Sequence, residues 1–447
     1  MKAKYVFSAL ILFSCVFVLI LAKKNKVKTE YAFVERTGAV TNSSEWINTK
    51  SAIEKLLGDL RKNPDNNKTK IQLAMAYIQE SRVTGNHSFY DGAALSLLDE
   101  ILSENPDDIE ALCAKGTVLL SQHHFDEALA IGKKIIILND YSAYGYGILT
   151  DAYLESGNYP KAIESADKMV SIRPDVRSYS RVSYLREIFG DTDGAIEAME
   201  LAVQSGIPGA EQTEWARVYK GHLHEMKGDL KTASMLYEEA LIHRPHFAYA
   251  QAGMGRIEKY KKNYEEALIY FTNAKNNLND FYFTEEIAGV YMAMFKNKDA
   301  YDQYKKAIIF LSYSEDNESE SNHGHYSDME LALLYLKTYQ YDLAFKHALI
   351  EYNRRPDNIE TQQTLAWVHY RRGEYNKANV LIDKAMRTNS KHPVLLFRAG
   401  LIKAKAGKNE VAKNLIHESL SRNPHLTADI LWEAKSILGD NNPIALH

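Results

Sequence analysis

GNYPKAIESADKM, residues 157–169, holds the signals for one turn and one helix. Gly157 tolerates the left-handed conformation that ends a helix, so it closes the helix before it. Ala162 puts a small side chain early in the next helix, where the first helix can approach closely. Pro174 follows twelve residues after that alanine and marks the turn beyond. The same order recurs in both directions: HHFDEALAIGKKI at 123–135, GDTDGAIEAMELA at 190–202, GDLKTASMLYEEA at 228–240, KNYEEALIYFTNA at 262–274 and GEYNKANVLIDKA at 373–385.

Alanine carries the phase. Ala94, Ala128, Ala162, Ala195, Ala233, Ala267, Ala300, Ala344, Ala378 and Ala412 are separated by 34, 34, 33, 38, 34, 33, 44, 34 and 34 residues. Proline follows at Pro106, Pro174, Pro245 and Pro356. A period near 34 with Gly-x-Tyr-x-x-Ala and a late proline resembles the tetratricopeptide repeat, over roughly residues 65–425. The resemblance implies an all-α fold: a right-handed superhelical solenoid of about ten helix pairs. One pair cannot bury its apolar sides, so stacked neighbours make the core.

The exceptions to the period locate insertions. The gap of 38 is filled by the loop QSGIPGAEQT (204–213), and the gap of 44 by LSYSEDNESESNHGH (311–325). The second is polar and acidic near 312–325 and is expected to be exposed and mobile. A further insertion is expected near SRVTGNHSFYDG (81–92). Residues 44–64 read as an N-terminal capping helix, with Ser43 or Ser44 as its cap. Residues 29–43 read as a polar tether. LTADILWEAKSILGD, within 426–447, reads as a C-terminal capping helix before a short tail.

Residues 1–28, MKAKYVFSALILFSCVFVLILAKKNKVK, read as a signal anchor or signal peptide. Residues 5–22 carry no charge, a length at the border between a signal-peptide core and a spanning helix. A retained anchor, cleavage after Ala22 and lipidation at Cys15 are the three readings, and the apolar run continuing past Cys15 favours the anchor. A short basic leader before an apolar core points to export, to the periplasm or the cell surface. Lys23, Lys24, Lys26 and Lys28 after the span argue for the cytoplasmic orientation.

The chain has 447 residues, 25% of them charged, with net charge −4. That balance lacks the basic footprint of a nucleic-acid binder. Cys15 and Cys113 are the only cysteines and give no disulfide framework.

The array has two kinds of face. In SYSRVSYLREIFGD (178–191), Tyr179, Val182, Ser183 and Arg186 share one side of a helix. Arg177, Arg181, Tyr184 and Ile188 share another, and Gly190-Asp191 ends the helix. The tetratricopeptide family lines a concave groove with its first helices. The resemblance therefore implies a groove bearing Arg177, Arg181, Tyr184, Trp215, Tyr219, His222, Arg256, Lys259, Trp367 and Tyr370, with Tyr179, Val182 and Ser183 packed into the stack. Arg186 departs from the aromatic usual at its place. Arginine and aromatic rings carry binding energy at interfaces, and arginine recognises carboxylates two-pronged. The expected partner is a protein or peptide with acidic groups or a free carboxylate.

Signatures of chemistry are missing. The sequence has no phosphate loop, nucleotide fingerprint, Gly-x-Ser-x-Gly elbow or Cys-x-x-Cys pair. HLHEMKG has Gly228 where a metalloprotease helix needs its second histidine. No catalytic residue, cofactor or metal is expected. The leading expectation is a membrane-tethered, non-catalytic scaffold in a bacterial cell-envelope complex. The alternative is a surface or periplasmic protein that binds a glycan or small ligand with its aromatic groove.

Overall fold

The computed structural model describes residues 33–318 and 324–425, together with 431, 433, 434, 437 and 438. The anchor expected at 5–22 lies outside the described residues, among which no helix is long and apolar enough to cross a membrane.

Among the described residues, α1 (Ser44–Lys62) is followed by ten helix pairs. They are α2 (Asn67–Thr84) with α3 (His87–Glu104), α4 (Ile109–Ser121) with α5 (Phe125–Leu138), α6 (Ala143–Glu155) with α7 (Tyr159–Ile172), α8 (Val176–Ile188) with α9 (Thr192–Gln204), and α10 (Glu211–Met226) with α11 (Leu230–His243). The second half continues with α12 (Ala248–Tyr260) and α13 (Tyr264–Asn277), α14 (Phe281–Ala293) and α15 (Asn297–Glu318), α16 (Asp328–Lys337) and α17 (Tyr341–Arg354), α18 (Ile359–Arg371) and α19 (Tyr375–Ala385), and α20 (Pro393–Lys405) and α21 (Asn409–Arg422).

All ten phased alanines are completely buried, so each second helix rests on its partner at a methyl group. The contact is close enough for the Ser183 hydroxyl of α8 to donate to the Ala195 carbonyl of α9 at 2.7 Å. Asp175 starts α8 with a capping box: its carboxylate accepts from the Arg177 and Ser178 amides, and the Ser178 hydroxyl accepts from the Asp175 amide. Asp175→Ala is expected to cost about 1 kcal/mol. Hydrogen exchange should show the loss confined to the first turn of α8.

At most junctions the first helices of neighbouring pairs pack on one another, as α6 on α8, α8 on α10 and α10 on α12, and among the described residues no two neighbouring second helices pack to the same extent. The array therefore curves with its first helices inside. Large exposed apolar side chains such as Ile137, Ile242, Ile269 and Ile309 sit on the outer, second helices.

The curvature is tight enough for the superhelix to meet itself. Turns inside the early pairs press on the connections between later pairs, 195–204 residues on. The Asn279 amide donates to the Thr84 carbonyl at 2.9 Å, and the Tyr326 amide to the Gln122 carbonyl at 3.2 Å. The Asn358 side chain donates to the Glu155 carbonyl at 3.1 Å, and the Asn423 side chain to the Glu225 carbonyl at 3.2 Å. Arg244 pairs with Glu45 across the same seam. One superhelical turn thus takes between five and six pairs. Glycine matters where this seam is narrow. Gly157 and Gly190 hold φ of 77° and 79°, and a Cβ on either would run into the backbone of Asp357 or Asn389. At the corresponding turns beyond the seam, Lys262, Phe295 and Tyr339 take the same left-handed conformation, with Phe295 and Tyr339 exposed.

Three expected loops are changed by the packing. Residues 312–318 are not loop but the last turns of α15, and Gly324–Tyr326 seats against His123 and His124. The insertion near 81–92 is taken up by the 18-residue lengths of α2 and α3. In the expected tether, residues 33–43 are docked: buried Arg36 meets Glu80 at 2.5 Å and Glu45 at 3.1 Å, and Tyr90 donates to the Val34 carbonyl at 2.9 Å.

Candidate functional site: the inner face

Tyr184, from α8, donates its phenol to Glu360 of α18 at 3.0 Å, across 176 residues of chain. Tyr219, one pair on in α10, donates to Glu187 of α8 at 2.6 Å. Its ring stacks on Trp215 with centroids 5.2 Å apart. Glu155 closes α6 on the same side and is paired with Arg355 from the next superhelical turn. Burial pushes the Glu155 carboxyl up, and Glu360 adds to it by repulsion. The Glu187 carboxyl is raised by burial against the Tyr219 hydrogen bond, with Glu360 again raising it. Glu360 therefore acts on both Glu155 and Glu187 from the next superhelical turn, and all three carboxylates act on the Tyr184 phenol on the inner face.

The cationic residues expected in the groove lie on first helices, and each is engaged within the chain. Arg181 grips Asp151 two-pronged, at 2.8 and 2.5 Å. Arg177 lies 4.7 Å over the Tyr144 ring and donates to Gln212. Lys259 donates to Glu286 at 2.7 Å. Arg256 is the centre of a buried network. It donates to both Glu225 oxygens at 2.9–3.1 Å and to the Tyr282 hydroxyl at 2.6 Å, while Tyr237 and Tyr260 donate to the same carboxylate at 2.7 and 3.0 Å. Burial alone would push Glu225 up, but Arg256 and His222 hold its carboxyl well below the usual range. His222 is 3.8 Å from Glu225 and edge-on to Tyr219.

Trp367 and Tyr370 are not open to a visitor. They are 6% and 7% exposed, stacked at 4.9 Å within a hydrophobic cluster that also holds Leu431, Ala434, Ile437 and Leu438. Glu433 accepts from the Tyr370 hydroxyl at 2.8 Å and from Arg371 at 2.9 Å. The chain's own C-terminal segment thus covers the inner face of the last pairs. On α8, Ser178, Ser183, Leu185 and Ile188 are buried and Tyr179 and Val182 only half-buried, so the packed side is turned from the one expected. Arg186 donates to the Gly194 carbonyl at 3.0 Å, bracing the turn into α9.

A cavity of about 250 Å³ lies on the seam between the N-terminal segment and α10–α13. Its arginines are matched, Arg82 with Glu211, Arg244 with Glu45 and Arg36 with Glu80. Among the described residues no three His, Cys, Asp or Glu side chains are grouped to hold a metal ion.

No family model matches the chain. A TPR repeat-containing protein of Methanocaldococcus jannaschii is 24% identical over 206 residues, which is 43% of this chain and 35% of that relative. The match thus takes in about a third of the relative's length. Among solved structures, a tetratricopeptide repeat protein from Parabacteroides merdae is similar over 56% of this chain and 95% of its own, with 18% identity and a TM-score of 0.41. The human IFIT1 dimer with m7Gppp-AAAA is similar over 76% of this chain and 77% of its own, with 14% identity and a TM-score of 0.47.

Proposed function

We propose, from the tetratricopeptide-type helix pairs that the chain repeats, that it is a non-catalytic scaffold that takes a protein or peptide partner on its inner face. The observation that carries this reading is the convergence of Glu155, Glu187 and Glu360 with Tyr184 and Tyr219 from two superhelical turns. The tether through residues 5–22 and a place in a bacterial cell-envelope complex belong to the same proposal and rest on the sequence.

The geometry changes the chemistry expected of the partner. An acidic group would have to displace Asp151 from Arg181 or Glu225 from Arg256. A lysine or arginine side chain would instead meet three carboxylates, two of which, Glu187 and Glu360, accept from a phenol, and would relieve the repulsion that Glu360 exerts on the other two. We therefore assign a basic segment to this face. The glycan reading loses its support, because Trp367 and Tyr370 are buried and the Tyr184 and Tyr219 hydroxyls are already engaged.

Crosslinking in native cells with quantitative mass spectrometry tests the assignment. The full chain carrying Glu187→Lys and Glu360→Lys is expected to lose its crosslinked partner at least tenfold, with Arg177→Ala within twofold of the native chain. The reverse pattern would restore the acidic partner and overturn the basic one.

A further inference from the structure

At four of the five early turns along the seam the left-handed residue is glycine: Gly85, Gly157, Gly190 and Gly228. At the fifth it is His123, with φ of 64°. Its ring does what the glycines do by absence of a side chain. Nδ1 lies 2.9 Å from the Tyr326 carbonyl on the next superhelical turn. A carbonyl only accepts, so Nδ1 carries the hydrogen. His325 makes the reciprocal contact, its Nδ1 lying 3.1 Å from the Ser121 carbonyl. The two imidazoles face each other with centroids 4.4 Å apart. His124 stacks on Tyr326 at 4.3 Å and reaches the Gly324 carbonyl through Nε2 at 2.6 Å.

We propose that His123 and His325 form a proton-operated latch between superhelical turns. Neutral, each ring donates across the seam; protonated, two cations confront each other at ring-contact distance and the turns part. This inference concerns the free chain and does not depend on the partner assigned above.

The surroundings oppose a second charge. Arg355, the C-cap of α17, lies 4.9 Å over the Phe125 ring, on which His123 also stacks at 5.4 Å. Arg354 lies 3.9 Å over Tyr326. The acidic groups that face the latch have their own partners. Asp91 meets His87, both on α3, Glu127 of α5 meets His124, and Asp328 of α16 meets His347 and Arg354. Glu351 of α17 meets Arg354 and Arg355. Glu330 of α16 is pushed up to about 7 by burial, so it sheds its negative charge as the medium acidifies.

The sign follows from these shifts. Burial, and then Arg355, brings His123 down to about 4 against the pull of the Tyr326 carbonyl. Burial and His123 take His325 well below its ordinary value. The closed seam therefore binds fewer protons than the open one between about pH 6.5 and 4. Closure is fully favoured above pH 6.5 and weakens as pH falls through that window. Glu155 and Glu330, with raised carboxyls, titrate in the opposite sense, so the readout must be local.

Hydrogen exchange on the full chain, corrected for intrinsic rate, tests the latch at pH 7.5 and 5.0. Protection of 122–126 and 324–327 is expected to fall at least tenfold. Protection at the neighbouring Gly157–Asn358 contact, where carboxylates face the seam, is expected to stay within twofold. His123→Gln with His325→Gln keeps a donor at each carbonyl without a titrating ring, and should flatten the pH response. Unchanged protection in the native chain, an equal loss at both contacts, or the same profile in the double variant would each overturn the proposal. If the double variant is already open at pH 7.5, the contrast between the two contacts in the native chain decides.

Discussion

Replacing Arg256 by alanine is expected to destabilise the middle of the array by about 3–5 kcal/mol, the usual cost of leaving one member of a buried ion pair alone. The guanidinium holds both oxygens of Glu225, while Tyr237, Tyr260 and Tyr282 complete the network from α11, α12 and α14. Without it, Glu225 keeps two phenols and no adjacent cation of comparable contact. The pH dependence distinguishes this cause from simple loss of packing. Native Glu225 is held low, so its contribution is present above the ordinary carboxylate range near 4.5 and lost as pH falls further. In Arg256→Ala its carboxyl rises, and the deficit relative to the native chain should shrink in mild acid. Adding Glu225→Gln should recover part of the loss. Urea titration read by hydrogen exchange in α10 and α12 measures all three; an additive double variant would sink the pairing argument.

Gly157→Val is expected to open the seam where Gly373→Val does not. Both substitutions force a β-branched residue into the left-handed region, at about 1–2 kcal/mol. At Gly373 nothing lies within 4 Å of the new Cβ. At Gly157 it meets the Asp357 backbone, which belongs to another superhelical turn. Parting the turns there also breaks the bond from Asn358 to the Glu155 carbonyl and that from the Ile359 amide to the Tyr159 hydroxyl. Each is worth about 1 kcal/mol, so the Gly157 variant should lose roughly 3–4 kcal/mol in all. Small-angle scattering should show a larger radius of gyration for Gly157→Val alone. Equal radii for the two variants would mean that the seam does not hold the coil closed.

The repeat was legible because every pair demands a small residue at one place, and the ten alanines supply it. The seam was not, because a 34-residue period carries no information on contacts 200 residues apart. A trace of it exists in the change from Gly157, Gly190 and Gly228 to Lys262, Phe295 and Tyr339, yet Gly373 and Gly407 show that glycine alone does not mark it. The site was legible in part. First-helix residues do line the inner face, but their ion pairs were missed although their spacing was available. Asp151 precedes Arg181 by 30 residues, Glu225 precedes Arg256 by 31 and Glu187 precedes Tyr219 by 32, close to one repeat in each case. Glu360 and Glu433 had no such signal, since one arrives from another superhelical turn and the other from the C-terminal segment.

A screw thread constrains insertions that a straight stack would accept. Adding one 34-residue unit between Gly228 and Asn279 would advance every later corner by a sixth of a revolution or so, and Gly85, His123, Gly157, Gly190 and Gly228 would all face the wrong mates. Growth by duplication is therefore barred inside the first revolution, and lengthening by whole units is compatible with the thread only beyond its last engaged corner.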